Sequence, residues 1–294
     1  MKRVFLLGNG ESRKDFDISI LKKYGRVYGC NAIYRDHPND IDVLTAVDNG
    51  ISHEIYHSGI ALKKECYFRN WTKLPAMMFD QTLKGVATDE ELQELKEFDF
   101  VKQNERGNAQ EFVIHGSNMK GMVKVLRTIK RDYKHATKEI VQEKINHSSI
   151  YVSWIQPDDK SHCVKDVMPN YKDHGWACGA TSGFIACKKE DPDEIYLIGH
   201  DLVSDTGKVN NLYKGTKNYV SVDNGATPHN NWVNQWFTLM DWERKRKFFK
   251  VNKAIDNNPT NQKINEWSIW EKDTNLRTLT YITQAQLLDK LQKE

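Results

Sequence analysis

Near the N-terminus four apolar residues in unbroken succession, Val4-Phe5-Leu6-Leu7, run straight into Gly8-Asn9-Gly10-Glu11-Ser12. An apolar run without polar alternation belongs to a strand buried on both faces, the condition of a parallel sheet covered by helices. Arg26–Cys30 and Asp42–Val47 read as the second and third strands, Glu194–Gly199 (EIYLIG) as a strong later strand, and Phe248–Val251 as another. Between them Phe16, Ile18, Ile20 and Leu21 predict a short helix, Ile51–Lys64 a helical stretch, Ala180–Cys187 the buried start of a helix and Asn230–Lys247 a further helix. Strands alternating with short helices give the expected fold class, α/β with a mainly parallel, doubly wound, Rossmann-like sheet.

The middle of the chain carries a weaker pattern. Residues 88–106 are charged and read as surface helix and loop, Glu111–His115 as a strand, Ser117 to about Lys138 as a helix, Ser149–Trp154 as a strand, and Gln156–Gly175 as a polar loop. Asp201–Thr227 is rich in Gly, Asn, Asp, Lys and Tyr, a long connection of the kind that forms active-site lids. A polar linker (DNNPTNQ), two tryptophans and an amphipathic helix close the sequence. The expected organisation is one α/β domain over 1–252 with its lid at about 201–227, and a helical and aromatic C-terminal extension over 253–294 packing on it.

Composition excludes several classes. Hydrophobic residues at 39% and charged residues at 28% fit a soluble globular protein, and no apolar run reaches the length of a bilayer span. The apolar start stops at Gly8 and Asn9 without a small-residue cleavage pattern, so it reads as a strand and not a signal peptide, and no membrane partner is expected. Five scattered cysteines without a C-x-x-C predict free thiols in a reducing cytoplasm. A net charge of +3 does not by itself point to nucleic acid, although residues 120–138 and 244–250 (RKRKFFK) are locally basic.

The glycine turn is the first candidate site. Glycine lets the backbone turn tightly, and a helix N-terminus after it offers N–H groups to a phosphate. A dinucleotide fingerprint is disfavoured, because Arg13 stands where a third glycine belongs, and Cys30 and Asn31 stand where an acid belongs. Asn9, Asn31 and Asp48 close successive predicted strands, at the ends that line the ligand crevice of an open α/β sheet. They equally suit helix caps and turns.

Three other patterns have plainer readings. His53-Glu54-Ile55-Tyr56-His57 matches H-E-x-x-H, but it lies in strand–helix alternation without a further ligand, so an amphipathic helix is expected and not a zinc site. The D-x-D pairs Asp15/Asp17, Asp40/Asp42 and Asp191/Asp193 do not follow strands and read as caps and surface charge. No Walker A or G-x-S-x-G is present.

Taken in order, GNGES at 8–12, CN at 30–31, TSG at 181–183, IYLIGHDL at 195–202 and PHNN at 228–231 resemble the bacterial sialyltransferases of the Campylobacter type, glycosyltransferase family 42. They also resemble tailed-bacteriophage proteins, mostly without assigned activity. The likeness covers roughly residues 1–50 and 176–240. It implies a GT-A type fold with a lid and a metal-independent, inverting transfer from a nucleotide-sugar, UDP- or CMP-linked, with no other cofactor. It implies that Gly8, Asn9, Gly10, Ser12 and Asn31 hold the nucleotide, with Asp48 where the family has asparagine. Ser182 and Gly183 would approach the phosphate or sugar, and Tyr213 and Tyr219 would stabilise the departing phosphate. His229 would be the general base, and His200 is the second candidate. Glu11 replaces the family's proline, and Gly179 its R-x-T-S-G arginine, which favours a neutral sugar over sialic acid. The acceptor is expected to be DNA, as 5-hydroxymethylcytosine in a phage genome with the basic stretches as phosphate contacts, or a glycan. The alternatives are a glycan-directed sialyltransferase-like enzyme and a non-catalytic nucleotide- or glycan-binding phage structural protein. For a phage-encoded chain the location is the host cytoplasm.

Overall fold

A computed structural model describes residues 1–48, 51–52, 54–55, 58–69, 160–170, 175–204, 206–252 and 278–293, and the strand backbones at 101–104, 110–114, 121–130 and 136–145. In chain order the strands are β1 (Arg3–Leu7), β2 (Arg26–Cys30), β3 (Val43–Ala46), β4 (Glu65–Phe68), β5 (Val101–Asn104), β6 (Gln110–Ile114), β7 (Gly121–Lys130), β8 (Ala136–Ile145), β9 (Ser161–Cys163), β10 (Glu194–Ile198), β11 (Lys247–Asn252) and β12 (Leu279–Thr283). The longer helices are α1 (Cys178–Glu190), α2 (Asn230–Trp242) and α3 (Gln284–Gln292). The chain divides into two compact units, Met1–Thr45 with Lys165–Glu294, and Ala46–Val164. Among the described residues no helix is long and apolar enough to cross a membrane.

The first unit is α/β and Rossmann-like. Its strands run β12-β11-β10-β1-β2-β3, and every pairing among them is parallel. Val4, Phe5, Leu6 and Leu7 are fully buried, as a central strand covered on both faces requires. The chain moves outward from β1 through β2 to β3, then returns to the other side of β1 at β10 and moves outward again. The order therefore reverses between β1 and β10, and ligands of open α/β sheets bind at such a switch point, beyond the C-terminal strand ends. At the opposite end, buried Glu194 accepts from Arg3 Nε (3.1 Å), Tyr196 Oη (2.6 Å) and Lys290 Nζ (2.9 Å), tying β1, β10 and α3. Burial alone would raise the Glu194 carboxyl, but these three donors hold it below the ordinary value.

The expected strands at 26–30, 42–47, 194–199 and 248–251 are present within a residue or two. The predicted helix over 230–247 ends earlier, at Trp242, where Glu243 leaves helical geometry. The stretch described after 252 supplies β12, which pairs in parallel with β11, and then α3, opened by a Thr283/Gln286 capping box.

In the second unit β4 pairs in parallel with β9, and β5-β6-β7-β8 form an antiparallel sheet. Here three expectations are corrected. The helix expected from Ser117 to about Lys138 is not formed where that stretch is described: residues 121–130 and 136–138 are strand, and β7 and β8 pair from Gly121↔Ile145 to Lys130↔Ala136. Val123, Val125, Thr128 and Ile129 are β-branched and fit a pleated strand better than a helix. Charged 88–106 contains β5, and polar 156–175 contains β9. The predicted strand at 149–154 lies outside the described residues.

Candidate functional site

The glycine turn is bonded throughout to its surroundings. Gly8 N donates to Ile198 O (2.8 Å), Gly10 N to Gly199 O (2.8 Å), Glu11 N to Asn210 Oδ1 (2.8 Å) and Ser12 N to Asp201 Oδ2 (2.9 Å). Ser12 Oγ also bonds to Asp201 Oδ1. The anion at this helical start is thus the protein's own Asp201, and these N–H groups are not open to a phosphate. A Cβ on Gly8 would overlap Gly199 O, and one on Gly10 would overlap the Asp201 carboxyl. The glycines let the turn after β1 lie against the turn after β10.

Asn9 is buried and bridges strands, its Nδ2 donating to Cys30 O (2.9 Å) and its Oδ1 accepting from Arg13 Nη2 (3.3 Å). Asn31 follows β2 in the left-handed region at φ 51°, and its buried Oδ1 has no hydrogen-bond partner. The residues after it receive the β10–α2 connection. Ala32 N donates to Tyr219 Oη (3.2 Å), and Arg35 donates to Thr216 Oγ1 (2.8 Å) and Lys217 O (2.9 Å). The Tyr213 and Tyr219 rings lie 5.8 Å apart, and the Arg35 guanidinium is 5.8 Å from each. Burial first, then the Asp36 carboxylate, push the Tyr213 hydroxyl up to about 12, and burial pushes Tyr219 up as well.

The N-terminus of α1 stands in the same neighbourhood. Its N-cap, Ala177, supplies no side-chain cap, and Ala177 N donates to Gln235 Oε1 (2.7 Å). Gln235 is buried, and its Nε2 has no partner. Cys178 Sγ donates to Thr45 O (2.9 Å) at the end of β3, and the buried Thr45 Oγ1 is also without a partner. Ser182 is fully buried inside α1. A Cβ on Gly183 would come within 2.8 Å of Trp236 and 2.9 Å of Leu239, so that glycine lets α1 and α2 approach. Ser182 and Gly183 therefore lie within α1, beyond its first turn, and not at its free N–H groups.

The two histidines differ. His200 is enclosed, its Nε2 3.1 Å from Leu6 O and its ring edge-on to Trp236 at 5.2 Å. A carbonyl only accepts, so Nε2 carries the proton and the lone pair is on Nδ1. Burial, reinforced by the charge of Lys250, pushes its pKa from 6.5 down to about 3. Between those values the unfolded chain binds a proton that the folded chain excludes, so stability is expected to fall as pH drops from about 6.5 towards 3. Thermal midpoints of wild type and His200→Gln across that window check this: the variant should show the shallower dependence. His229 instead caps the start of α2 and is only half-buried; its carbonyl accepts from Val233 N (3.0 Å), while its ring makes no hydrogen bond with the described residues.

Asp48 lies two residues beyond β3, in the second unit, with an exposed side chain; its carbonyl accepts from Ser52 N (3.0 Å) and Oγ (2.9 Å). His53, Tyr56 and His57 lie outside the described residues. Asp17 caps Ser19 (3.0 Å to its N), Asp42 accepts from Val27 N (2.9 Å), and Asp191 pairs with Lys245 (3.0 Å) and Arg246 (2.8 Å). Among the described residues no group of three or more His, Cys, Asp or Glu side chains could hold a metal ion.

The basic stretch 244–250 is largely committed to structure. Arg244 pairs with Asp241, Lys245 with Asp191, buried Arg246 with Glu243 and Asp191, and buried Lys250 donates to Asn252 Oδ1 (2.7 Å). Charge reversal at Arg244 and Lys245 is therefore expected to leave the salt dependence of any DNA binding unchanged, as fluorescence anisotropy against salt concentration would show. Sequence reasoning notes Arg13 only as the residue that stands where a third glycine belongs, and singles out neither Arg35 nor Gln235. Arg13 carried a signal, a charged residue where the turn pattern prefers glycine; Arg35 and Gln235 carried none, since their roles depend on which segments meet. Compared with family models, curated proteins and solved structures, the chain gives no match.

Proposed function

We propose that the chain is a nucleotide-sugar-dependent glycosyltransferase that binds its donor beyond the C-terminal strand ends of the first unit, with the phosphates at the start of α1. What supports this reading is the set of buried polar atoms there that lack a partner, namely Asn31 Oδ1, Thr45 Oγ1, Tyr213 Oη and Gln235 Nε2. Leaving a buried polar atom unsatisfied costs about 1–3 kcal/mol. A ligand with donors and acceptors removes that cost on binding, and the uncapped start of a 13-residue helix suits a phosphate.

In this proposal the β10–α2 connection is the lid, and Tyr213 and Tyr219 face the departing phosphate. The acceptor hydroxyl attacks the anomeric carbon, the bond to phosphate breaks with its electron pair leaving on the phosphate, and His229 takes the hydroxyl proton. The sugar is neutral or, in the sialyltransferase-like alternative, acidic, and the acceptor is DNA or a glycan. Thermal shift with UDP-, CMP- and GDP-sugars, followed by donor hydrolysis, tests the reading; a protein that none of them stabilises would not be a nucleotide-sugar enzyme. Activity is expected to survive EDTA, because the tyrosines and the helix start receive the leaving charge. Loss with EDTA and recovery with Mn²⁺ or Mg²⁺ would refute a metal-independent transfer.

A further inference from the structure

Arg13 is a buried cation whose own contacts do not balance its charge. Its side chain is 3% exposed. Nε donates to Gly8 O at 2.8 Å and Nη2 to Asn9 Oδ1 at 3.3 Å, both neutral oxygens. A guanidinium has five N–H donors, so most of them remain for another acceptor. Among the described residues Arg13 forms no ion pair, and Asp201, the carboxylate at this end of β10, is bonded to Ser12. Burying a charge without a counter-ion is costly, and such charges are ordinarily paired.

The position of the residue is as informative as its charge. Arg13 crosses the switch point between β1 and β10: a Cβ on Gly199 would come within 2.9 Å of Arg13 Cβ and 3.3 Å of its Cδ. The Tyr213 hydroxyl, on a residue 5% exposed, is buried there with no well-formed hydrogen bond, and both Arg13 and Asp36 act on it. A donor-rich guanidinium and a buried hydroxyl thus share one end of the sheet.

We infer that Arg13 is the anion-recognition residue of this site, receiving an anionic group of the ligand, phosphate or sugar carboxylate, with the Tyr213 hydroxyl as a second donor. This rests on the proposed binding of a nucleotide-sugar at the C-terminal strand ends, and adds to it a residue that fixes the ligand's charge. The incoming anion pairs with a guanidinium that forms no ion pair among the described residues and that meets Asp36 only at the shared Tyr213 hydroxyl.

Calorimetric titration separates the two sources of negative charge. The probes are uridine, UDP, UDP-glucose and UDP-glucuronate, and the variants are Arg13→Gln and Tyr213→Phe. The second variant is needed because Arg13 also holds Gly8 and Asn9, whereas Tyr213→Phe removes only the hydroxyl on which Arg13 and Asp36 act. If the anion is phosphate, Arg13→Gln is expected to weaken UDP by about 10- to 100-fold and Tyr213→Phe by a smaller factor, with uridine unchanged. If it is a sugar carboxylate, the loss falls on UDP-glucuronate and spares UDP-glucose. Wild-type affinity of both variants for every probe overturns the assignment. If the wild type binds no uridine compound, that failure belongs to the choice of nucleotide, and inorganic pyrophosphate decides on Arg13. The assignment holds if pyrophosphate raises the thermal midpoint of wild type and not of Arg13→Gln, and it falls if both rise equally or neither rises.

Discussion

His229→Ala is expected to lower kcat by about two to four powers of ten, the usual contribution of one general base. An alcohol is a poor nucleophile until its proton is leaving, and the base must reach that proton from a side open to the acceptor. His229 meets that condition better than His200. It stands at the start of α2, half-buried, with a ring that makes no hydrogen bond to the described residues. His200 is closed in by Leu6 O, Trp236 and the first turn of α1. Affinity for the donor should change little in His229→Ala. Near-normal kcat in His229→Ala together with its loss in His200→Gln would move the role to His200. If the two variants both keep full activity, neither histidine is the base.

Gly8→Ala is expected to cost about 3 kcal/mol of stability or more, at the upper end of what overpacking a close contact does. The added methyl would overlap Gly199 O and approach the His200 ring to 3.1 Å. Neither neighbour can yield cheaply. Gly8 N and Gly10 N hold Ile198 O and Gly199 O, and Gly199 itself sits at φ 70°. By contrast, Gly207→Ala meets no atom within 4 Å, so its cost is confined to backbone strain at φ 68°. Urea denaturation of the two variants checks the difference. Equal and small losses would mean that the β1 and β10 turns are not locked together.

Much of the first unit was legible because its strands are continuous apolar runs closed by glycine or asparagine, a pattern with few other meanings. The β7–β8 hairpin was misread because its lysines and arginines recur at intervals that also suit a helix, and only the density of Val, Ile and Thr spoke against it. The glycine turn was located correctly as the junction after β1, but its N–H groups were read as open to a ligand. That they are used by Gly199, Asp201 and Asn210 depends on contacts some 190 residues away in sequence, which no local pattern encodes. Gln235 at the start of α1 is hidden for the same reason. The convergence of Asn9 and Asn31 at the strand ends was readable from register alone, whereas the unpartnered Asn31 Oδ1 was not.

A nucleotide is expected to bind at the start of α1, beyond the C-terminal strand ends of the first unit. A crystal structure with the nucleotide that gives the largest thermal shift tests it most directly. Phosphate oxygens are expected at the N–H groups of residues 178–179, with Asn31 Oδ1 and Gln235 Nε2 gaining partners. A nucleotide bound elsewhere, with those two atoms still unpartnered, would contradict it.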